Sequence, residues 1–157
     1  MIEVNDKLPS AQFQYFDNGE MKTVTTEDLF AGKKVVMFAV PGAFTPTCSN
    51  THLPGYVVKF DDFKQKGVDT VICLSVNDAF VMDAWGKNSN AENLIMLADG
   101  AGDFSKAIGL DAETGIFGGV RSRRYAMIVN DGIIEHLNVE EPKEFKVSDA
   151  ETMLNQL

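Results

Sequence analysis

The sequence has little cysteine and little positive charge. Its 157 residues include two cysteines, Cys48 and Cys73, which are too few for a disulfide framework and do not form the Cys-x-x-Cys pair of thioredoxin-type dithiol exchangers. Fourteen Lys and Arg residues stand against 23 Asp and Glu, so the net charge is −9. Such a surface repels phosphate backbones and anionic lipid headgroups, and we expect neither nucleic acid nor a membrane as a partner.

Long hydrophobic runs are also absent. The longest apolar run covers residues 35–40, whereas a membrane-spanning helix needs ~20 apolar residues. Residues 1–6 do not show the basic and apolar pattern of an export signal, so we expect a cytoplasmic protein whose cysteines are thiols at rest. No repeat or Ser/Pro-rich linker divides the chain, which predicts one domain over residues 1–157.

The hydrophobic pattern predicts two central strands joined by a helix. Residues 33–40 and 69–76 are continuous apolar, β-rich runs, as in strands that are buried on both faces. A helix is predicted over residues 48–66, with Gly67 as its stop and a kink near Pro54, which lacks an N–H. Its apolar side chains recur every three or four positions: Leu53, Val57, Phe60 and Phe63.

The remaining elements complete an α/β domain. They are a helix over 79–88, a strand over 94–98, a helix over 103–108, strands over 124–129 and 133–139 around the turn Asn130-Asp131-Gly132, and a last helix that Ser148 caps and that runs to Leu157. The order β-α-β-α-β-α-β-β-α predicts a mixed central sheet with helices on both faces.

Residues 41–48, Pro-Gly-Ala-Phe-Thr-Pro-Thr-Cys, follow the first central strand and carry the candidate chemistry. Ligand sites in α/β domains gather at the carboxyl ends of strands. Cys48 begins the predicted helix, where unpaired N–H groups and the positive end of the helix dipole lower the pKa of a cysteine. Cys48 is therefore a candidate nucleophile; a small buried hydrophobic residue is the alternative. Thr45 is either a turn or cap residue or a hydrogen-bond partner for a bound oxygen species.

These residues resemble a known family. The pattern Pro41-x3-Thr45-x2-Cys48 is similar to the active-site signature of peroxiredoxins, and residues 41–55, PGAFTPTCSNTHLPG, are similar to the peroxiredoxin 5 (type II, atypical) subfamily. Further stretches resemble that subfamily in its order: CLSVNDAF at 73–80, Trp85-Gly86, LADG at 97–100, and RYAMIV at 124–129 followed by Asp131-Gly132. The resemblance implies a thioredoxin-like fold and thiol-dependent reduction of hydrogen peroxide and organic hydroperoxides, with no metal, haem or flavin cofactor.

The resemblance also implies residue roles. Cys48 would be the peroxidatic cysteine, whose thiolate attacks the peroxide and becomes a sulfenic acid. Thr45 would hold the peroxide through its hydroxyl, and Pro41 would shield the thiolate from water. Arg124, expected just inside the penultimate strand, would hold the thiolate and the leaving oxygen through its fixed, charged donors. Two neighbouring arginines are interpreted as a solvated basic patch: Arg121 and Arg123.

Four residues are the candidates for substrate binding: Thr45, Arg124, Phe44 and His52. His52 lies four positions after Cys48 on the same predicted helical face, and is either a base for the thiol or a positioning residue. In the family that it resembles, activation comes mainly from arginine and the helix, which favours positioning. A zinc site is not expected, because the cysteines and histidines lack paired ligand spacing: Cys48, His52, Cys73 and His136.

Recycling of the sulfenic acid depends on where the second cysteine lies. Cys73 is in the apolar run 71–74 and is interpreted as a core residue. Several members of the subfamily carry a resolving cysteine shortly before the last helix, but the matching residues 144–148 here, Glu-Phe-Lys-Val-Ser, contain none. This departure implies a one-cysteine cycle with an external thiol as reductant. Glutathione and glutaredoxin are favoured, and thioredoxin is the other candidate.

The resemblance further implies a homodimer formed through loops around the active site. Four aromatic residues are candidates for that contact, and packing inward is the alternative for each: Phe44, Phe80, Trp85 and Phe117. Two functions stay open besides a peroxidase. One is a peroxide-sensing redox regulator of low turnover, and the other is an interaction protein with the same fold.

Overall fold

A seven-stranded mixed sheet lies at the centre of the computed structural model, which describes residues 1–157. The nine strands of the chain are β1 (Gln12–Asp17), β2 (Glu20–Thr25), β3 (Lys34–Ala39), β4 (Thr70–Ser75), β5 (Ile95–Ala98), β6 (Asp111–Glu113), β7 (Val120–Ser122), β8 (Tyr125–Asn130) and β9 (Ile133–Val139). Seven of them form the sheet in the order β2-β1-β5-β4-β3-β8-β9, and β6 and β7 form a separate antiparallel pair. Strands β3, β4 and β5 are parallel, whereas β8 runs antiparallel to β3.

Helices cover both faces of the sheet, as predicted. They are α1 (Thr26–Phe30), α2 (Leu53–Val58), α3 (Phe60–Gln65), α4 (Ala79–Asn88), α5 (Asp103–Ala107) and α6 (Ala150–Asn155). Because successive side chains of a strand point to opposite faces, β3 supplies two cores. Phe38 packs into the core that contains Tyr56 and Trp85, and Met37 packs into the core that contains Phe104. No helix combines the length and the apolar character needed to cross a membrane.

The predicted helix over 48–66 is divided into three pieces. Residues Cys48–His52 form a π-helical turn, in which the Leu53 N–H donates to the Cys48 carbonyl, and α2 follows. The irregular turn lies directly before Pro54, as expected from the missing N–H of that proline. A second break at Lys59 separates α2 from α3 and was not predicted. The helix ends before Gly67, whose φ of 89° is the left-handed conformation expected after a helix.

The first 32 residues hold three elements that the sequence pattern did not predict: β1, β2 and α1. Most residues of β2 are exposed or half-buried and polar, so it forms no apolar run. The turn Asn18-Gly19 was the available signal, since both residues have positive φ, as a two-residue type I′ hairpin requires. The short strands β6 and β7 were also missed. The order of elements therefore begins with a β-hairpin that the predicted order lacks.

The last helix begins one residue later than predicted. Asp149, not Ser148, is its N-cap, because the Asp149 carboxylate accepts the Thr152 N–H at 3.2 Å. The Ser148 hydroxyl instead donates to the Glu140 carboxylate at 2.7 Å. The hairpin at residues 130–132 is confirmed, with Asp131 and Gly132 both at positive φ.

Candidate active site

Cys48 lies in the first turn of a helix, as the sequence predicts. Helical backbone begins at Pro46, a position that tolerates proline because the first N–H groups of a helix have no partner inside it. Ser49 is the first residue here whose N–H reaches a helical acceptor, the Thr45 carbonyl at 2.9 Å. Thr47 and Cys48 come before Ser49, so their N–H groups belong to the first turn, where N–H groups have no partner inside the helix. The sulfur therefore lies at the end of the helix where backbone donors and the helix dipole favour negative charge.

The loop before this helix is fixed by short polar contacts. The Thr45 hydroxyl donates to the Gly42 carbonyl at 2.7 Å, and the Ala43 N–H donates to Asn77 Oδ1 at 3.1 Å. A Cβ on Gly42 would lie 3.1 Å from Thr45 Cγ2, so the glycine allows the two residues to approach. Phe44 has a φ of 66°, which is rare for a bulky residue, and its side chain is exposed.

Arg124 reaches Cys48 across the sheet. Its Nη2 donates to Cys48 Sγ at 3.1 Å, although the two residues are 76 positions apart in the chain. The antiparallel register places Tyr125 opposite Ala39, the last residue of β3, so the residue before Tyr125 lies at the carboxyl end of β3. Arg124 thus lies one residue before the strand. From the sequence it was expected just inside the strand. Its positive charge stabilises negative charge on the sulfur.

His52 orients the same guanidinium group. Arg124 Nη1 donates to His52 Nδ1 at 2.8 Å, and His52 Nε2 donates to the Ser148 carbonyl at 3.0 Å. Burial lowers the pKa of His52 to about 3, and the charge of Arg124 contributes in the same direction. The imidazole is therefore neutral at pH 7. Both ring nitrogens bind protein groups, which favours the positioning role over that of a base; a contact between His52 and the substrate stays a prediction.

Cys73 lies inside the sheet. It is a fully buried residue of β4, and its register neighbours are Phe38 and Met96. Burial raises the pKa of the Cys73 thiol well above its usual value. Cys48 and Cys73 are both free thiols. The structure gathers no group of three or more His, Cys, Asp or Glu side chains with the geometry of a metal site.

The two neighbouring arginines do not form the solvated patch that was predicted. Arg121 donates to the carbonyls of Gly118 and Val76, and Arg123 donates to the carbonyl of Glu140 at 3.3 Å. Both side chains are half-buried. They connect loops of the backbone around the site.

Trp85 was a candidate surface residue, but it is fully buried. Its Nε1 donates to the Ser49 hydroxyl at 2.9 Å, next to Cys48. The other three aromatic candidates are exposed: Phe44, Phe80 and Phe117. The hydrophobic pattern alone does not distinguish the one buried ring from the three exposed ones.

A pocket of about 370 Å³ opens beside Arg124. Pro41 and Thr47 line one side of it, and residues 140–145 line another. Cys48 itself has no exposed surface. Sequence reasoning missed Glu140 and Ser148, which hold the wall of this pocket, because their contacts use backbone groups that carry no signature in the sequence.

Comparison with known proteins decides the family. The Redoxin family model matches residues 3–154. Peroxiredoxin-2E, chloroplastic, of Arabidopsis thaliana is 49% identical over 164 residues, covering 99% of this chain and 69% of the relative. The chain belongs to the peroxiredoxin family.

Solved structures agree with this assignment. Reduced Prx3 from Vibrio vulnificus in complex with H2O2 is 55% identical to this peroxiredoxin, with a TM-score of 0.97 and 99% of each chain covered. Peroxiredoxin 5 from Alvinella pompejana is 36% identical, with a TM-score of 0.87 over 99% of this chain and 97% of the other. The expected thioredoxin-like fold is confirmed. This peroxiredoxin is a thiol-dependent peroxidase, which takes a hydroperoxide substrate and a thiol reductant.

Proposed function

We propose that this peroxiredoxin reduces hydroperoxides at Cys48. The Cys48 thiolate attacks the terminal oxygen of the hydroperoxide, so that an S–O bond forms while the O–O bond breaks. The sulfur is oxidised to a sulfenic acid, and the hydroperoxide is reduced to an alcohol, or to water in the case of H2O2, after the leaving oxygen takes up a proton. The contact of 3.1 Å between Arg124 Nη2 and Cys48 Sγ is the observation that carries this proposal.

Arg124 is the electrostatic partner of the reaction. Negative charge moves from the sulfur to the leaving oxygen, and a guanidinium group presents several donors in one plane that can follow it. His52 occupies Nη1 of this group, so Nη2 remains directed at the sulfur. Because these donors are fixed before the substrate binds, little reorganisation is needed in the transition state.

Thr45 and Pro41 complete the substrate site. The Thr45 hydroxyl hydrogen is used by the Gly42 carbonyl, which leaves the Thr45 oxygen as an acceptor for the O–H of a hydroperoxide. Pro41 is half-buried, lines the pocket beside Arg124, and limits the access of water to the sulfur. The exposed Phe44 ring does not line this pocket and is assigned to the surface around the site.

An external thiol reduces the sulfenic acid in this proposal. Residues 144–148 contain no cysteine, and Cys73 is fully buried within β4. The incoming thiol displaces water to form a mixed disulfide with Cys48, and a second thiol then releases Cys48 as a thiol. Because Cys48 is buried, the incoming thiol, which is bulkier than the terminal oxygen of a hydroperoxide, needs the start of the helix to open for this exchange. Glutathione with glutaredoxin is the favoured donor and thioredoxin the other, both supplied by the cytoplasm that the sequence predicts.

A comparison of two cysteine variants tests this cycle. Peroxide consumption with glutathione and glutaredoxin should disappear in Cys48→Ser and largely remain in Cys73→Ser. Mass measurement of the peroxide-treated protein should show one added oxygen on Cys48, and one glutathione there after the thiol is added. The reverse pattern of the variants would overturn the assignment. A protein that consumes one equivalent of peroxide and then stops with every thiol donor would be a sensor.

The exposed aromatic residues support a homodimer. Phe44 and Phe117 lie close along the chain to Ala43 and Arg121, and Phe80 lies in the first turn of α4, just after residues 76–77. These segments adjoin each other, because Ala43 donates to Asn77 and Arg121 donates to the Val76 carbonyl at 3.2 Å. The exposed fractions of the three rings are 51%, 67% and 65% respectively. An apolar surface of this kind, next to a catalytic loop, fits a second copy of the chain.

Sedimentation measurements test the homodimer. Wild type should sediment as a dimer, and Phe80→Glu and Phe117→Glu should shift it to monomer. Val58→Glu is the matched control, because Val58 is an equally exposed apolar residue, at 77%, but lies on α2. Dimers in both aromatic variants would show that these rings do not form the interface.

A further inference from the structure

Glu140 holds a loop with one buried carboxylate. Its Oε2 accepts the N–H groups of Lys146, Val147 and Ser148 at 2.8–2.9 Å, together with the Ser148 hydroxyl at 2.7 Å. The residue is only 3% exposed, and no lysine or arginine side chain pairs with the carboxylate. Burial by itself raises the pKa of Glu140, but the hydrogen bonds from Lys146, Ser148 and Val147 outweigh it and lower the pKa. The negative charge is thus stabilised by the loop.

The loop in turn holds His52. The Ser148 carbonyl accepts His52 Nε2 at 3.0 Å and the Tyr56 hydroxyl at 2.7 Å. Since a carbonyl oxygen can only accept, it fixes the histidine tautomer that carries its hydrogen on Nε2. In that tautomer Nδ1 is an acceptor, and it receives Arg124 Nη1.

A backbone contact closes this arrangement into a ring. The Glu140 N–H donates to the Arg124 carbonyl at 3.0 Å. Arg124 is therefore held at its main chain by Glu140 directly, and at its guanidinium by Glu140 through Ser148 and His52. Outside this ring, the guanidinium makes one further hydrogen bond, to Cys48 Sγ, and its carbon lies 5.9 Å from the centre of the Phe145 ring.

We propose that Glu140 is a positioning residue of the peroxidase reaction, whose carboxylate orients Arg124 toward Cys48 through Ser148 and His52. This inference rests on the proposed function of Cys48. Outer hydrogen-bond partners of this kind, when removed, cost about 10- to 100-fold in activity in the metal sites where they have been measured. The substitution Glu140→Gln keeps the size of the side chain but removes its charge. It also places an N–H₂ donor next to the N–H and O–H groups that donate to the carboxylate.

The experiment measures the rate of peroxide attack by stopped flow. Trp85, the only tryptophan, bonds to Ser49 beside Cys48, and its fluorescence is the probe of oxidation. Glu140→Gln should slow the attack by about tenfold or more. Asp99→Asn is the matched control: Asp99 is also a buried carboxylate that accepts two backbone N–H groups and a serine hydroxyl, but it holds the start of α5. Its rate should stay within about twofold of wild type, whatever stability it loses.

A double variant separates positioning from general loosening. His52→Gln keeps a donor for the Ser148 carbonyl but places no acceptor where Nδ1 receives Arg124, so the path from Glu140 to the guanidinium is cut. Adding Glu140→Gln to His52→Gln should therefore slow the attack by less than about twofold further. If Glu140→Gln does not fold, Ser148→Ala, which removes one of the four donors to Oε2, is compared in the same way and should show a smaller loss.

Three results would overturn the inference: a wild-type rate in Glu140→Gln, an equal loss in Asp99→Asn, or a full multiplicative loss in the double variant. Failure of the proposed function looks different. In that case Cys48→Ser still consumes peroxide, or wild type does not, and the role of Glu140 falls with it.

Discussion

Lowering the pH from 7 to 5 should weaken the folded state by about 2 kcal/mol through His52 alone. In the unfolded chain His52 titrates at its ordinary value of 6.5, whereas burial and Arg124 lower its pKa to about 3 in the folded protein. As the pH falls through 6.5, the unfolded state binds a proton that the folded state cannot bind. This contribution to stability is therefore complete above the unfolded pKa and is lost progressively down to pH 3.

The magnitude follows from the number of protons bound. Each pH unit over which the unfolded state holds one more proton costs about 1.4 kcal/mol. Between pH 7 and 5 the uptake is partial at first and nearly complete at the end, which gives about 2 kcal/mol. That is a large share of a typical stability of about 5–15 kcal/mol.

Urea unfolding at pH 7 and pH 5 measures this effect. The protein concentration is held constant, since association changes apparent stability. Wild type should lose about 2 kcal/mol more than His52→Gln over this range, because the glutamine at position 52 of the variant does not titrate. Equal losses in the two proteins would refute the account of His52 as a buried, neutral residue.

Three further substitutions have defined outcomes. Arg124→Ala should slow peroxide attack by about 100-fold or more, and an unchanged rate would exclude the arginine from the mechanism. Arg124→Lys should recover only part of the lost rate, because an ammonium group cannot bind the sulfur and His52 together. Tyr125→Phe should leave the free energy of unfolding unchanged or raise it by about 1 kcal/mol, since the buried hydroxyl has no hydrogen-bond partner. A clear loss of stability in urea unfolding would contradict this. Gly86→Ala should lower the free energy of unfolding by about 1–3 kcal/mol, because the new Cβ on α4 would lie 2.7 Å from Met96 Cγ. A more stable variant would show that Met96 moves freely.

The sequence predicted the parts of the fold that have a strong local pattern. The runs at 33–40 and 69–76 are continuous and apolar because β3 and β4 are buried on both faces. The edge strand β2 has no such run, since one side of it faces solvent. A single turn signal, Asn18-Gly19, was the only trace of the hairpin that it forms with β1.

The candidate site divides in the same way. Pro41, Thr45 and Cys48 lie within eight residues and form a recognisable pattern. Arg124 was named from family resemblance, because only the register of β3 with β8 brings it to the sulfur. The ring that includes Glu140 was beyond prediction, since three of the four hydrogen bonds to its Oε2 come from backbone N–H groups, which are the same for nearly every residue type.

The length of β8 fixes where Arg124 lies relative to the hairpin turn at Asp131-Gly132, at the other end of the strand. Counted back from that turn, β8 extends over six residues, about 20 Å, and Arg124 is the residue that precedes it in the chain. Because β8 pairs with β3 in a fixed register, adding or deleting a single residue within β8 would displace the guanidinium by one position along the strand and reverse the face of the sheet on which it emerges. The turn at Asn18-Gly19 joins β1 to the edge strand β2, so a length change should be tolerated at that turn, whereas a length change within β8 should abolish the activity.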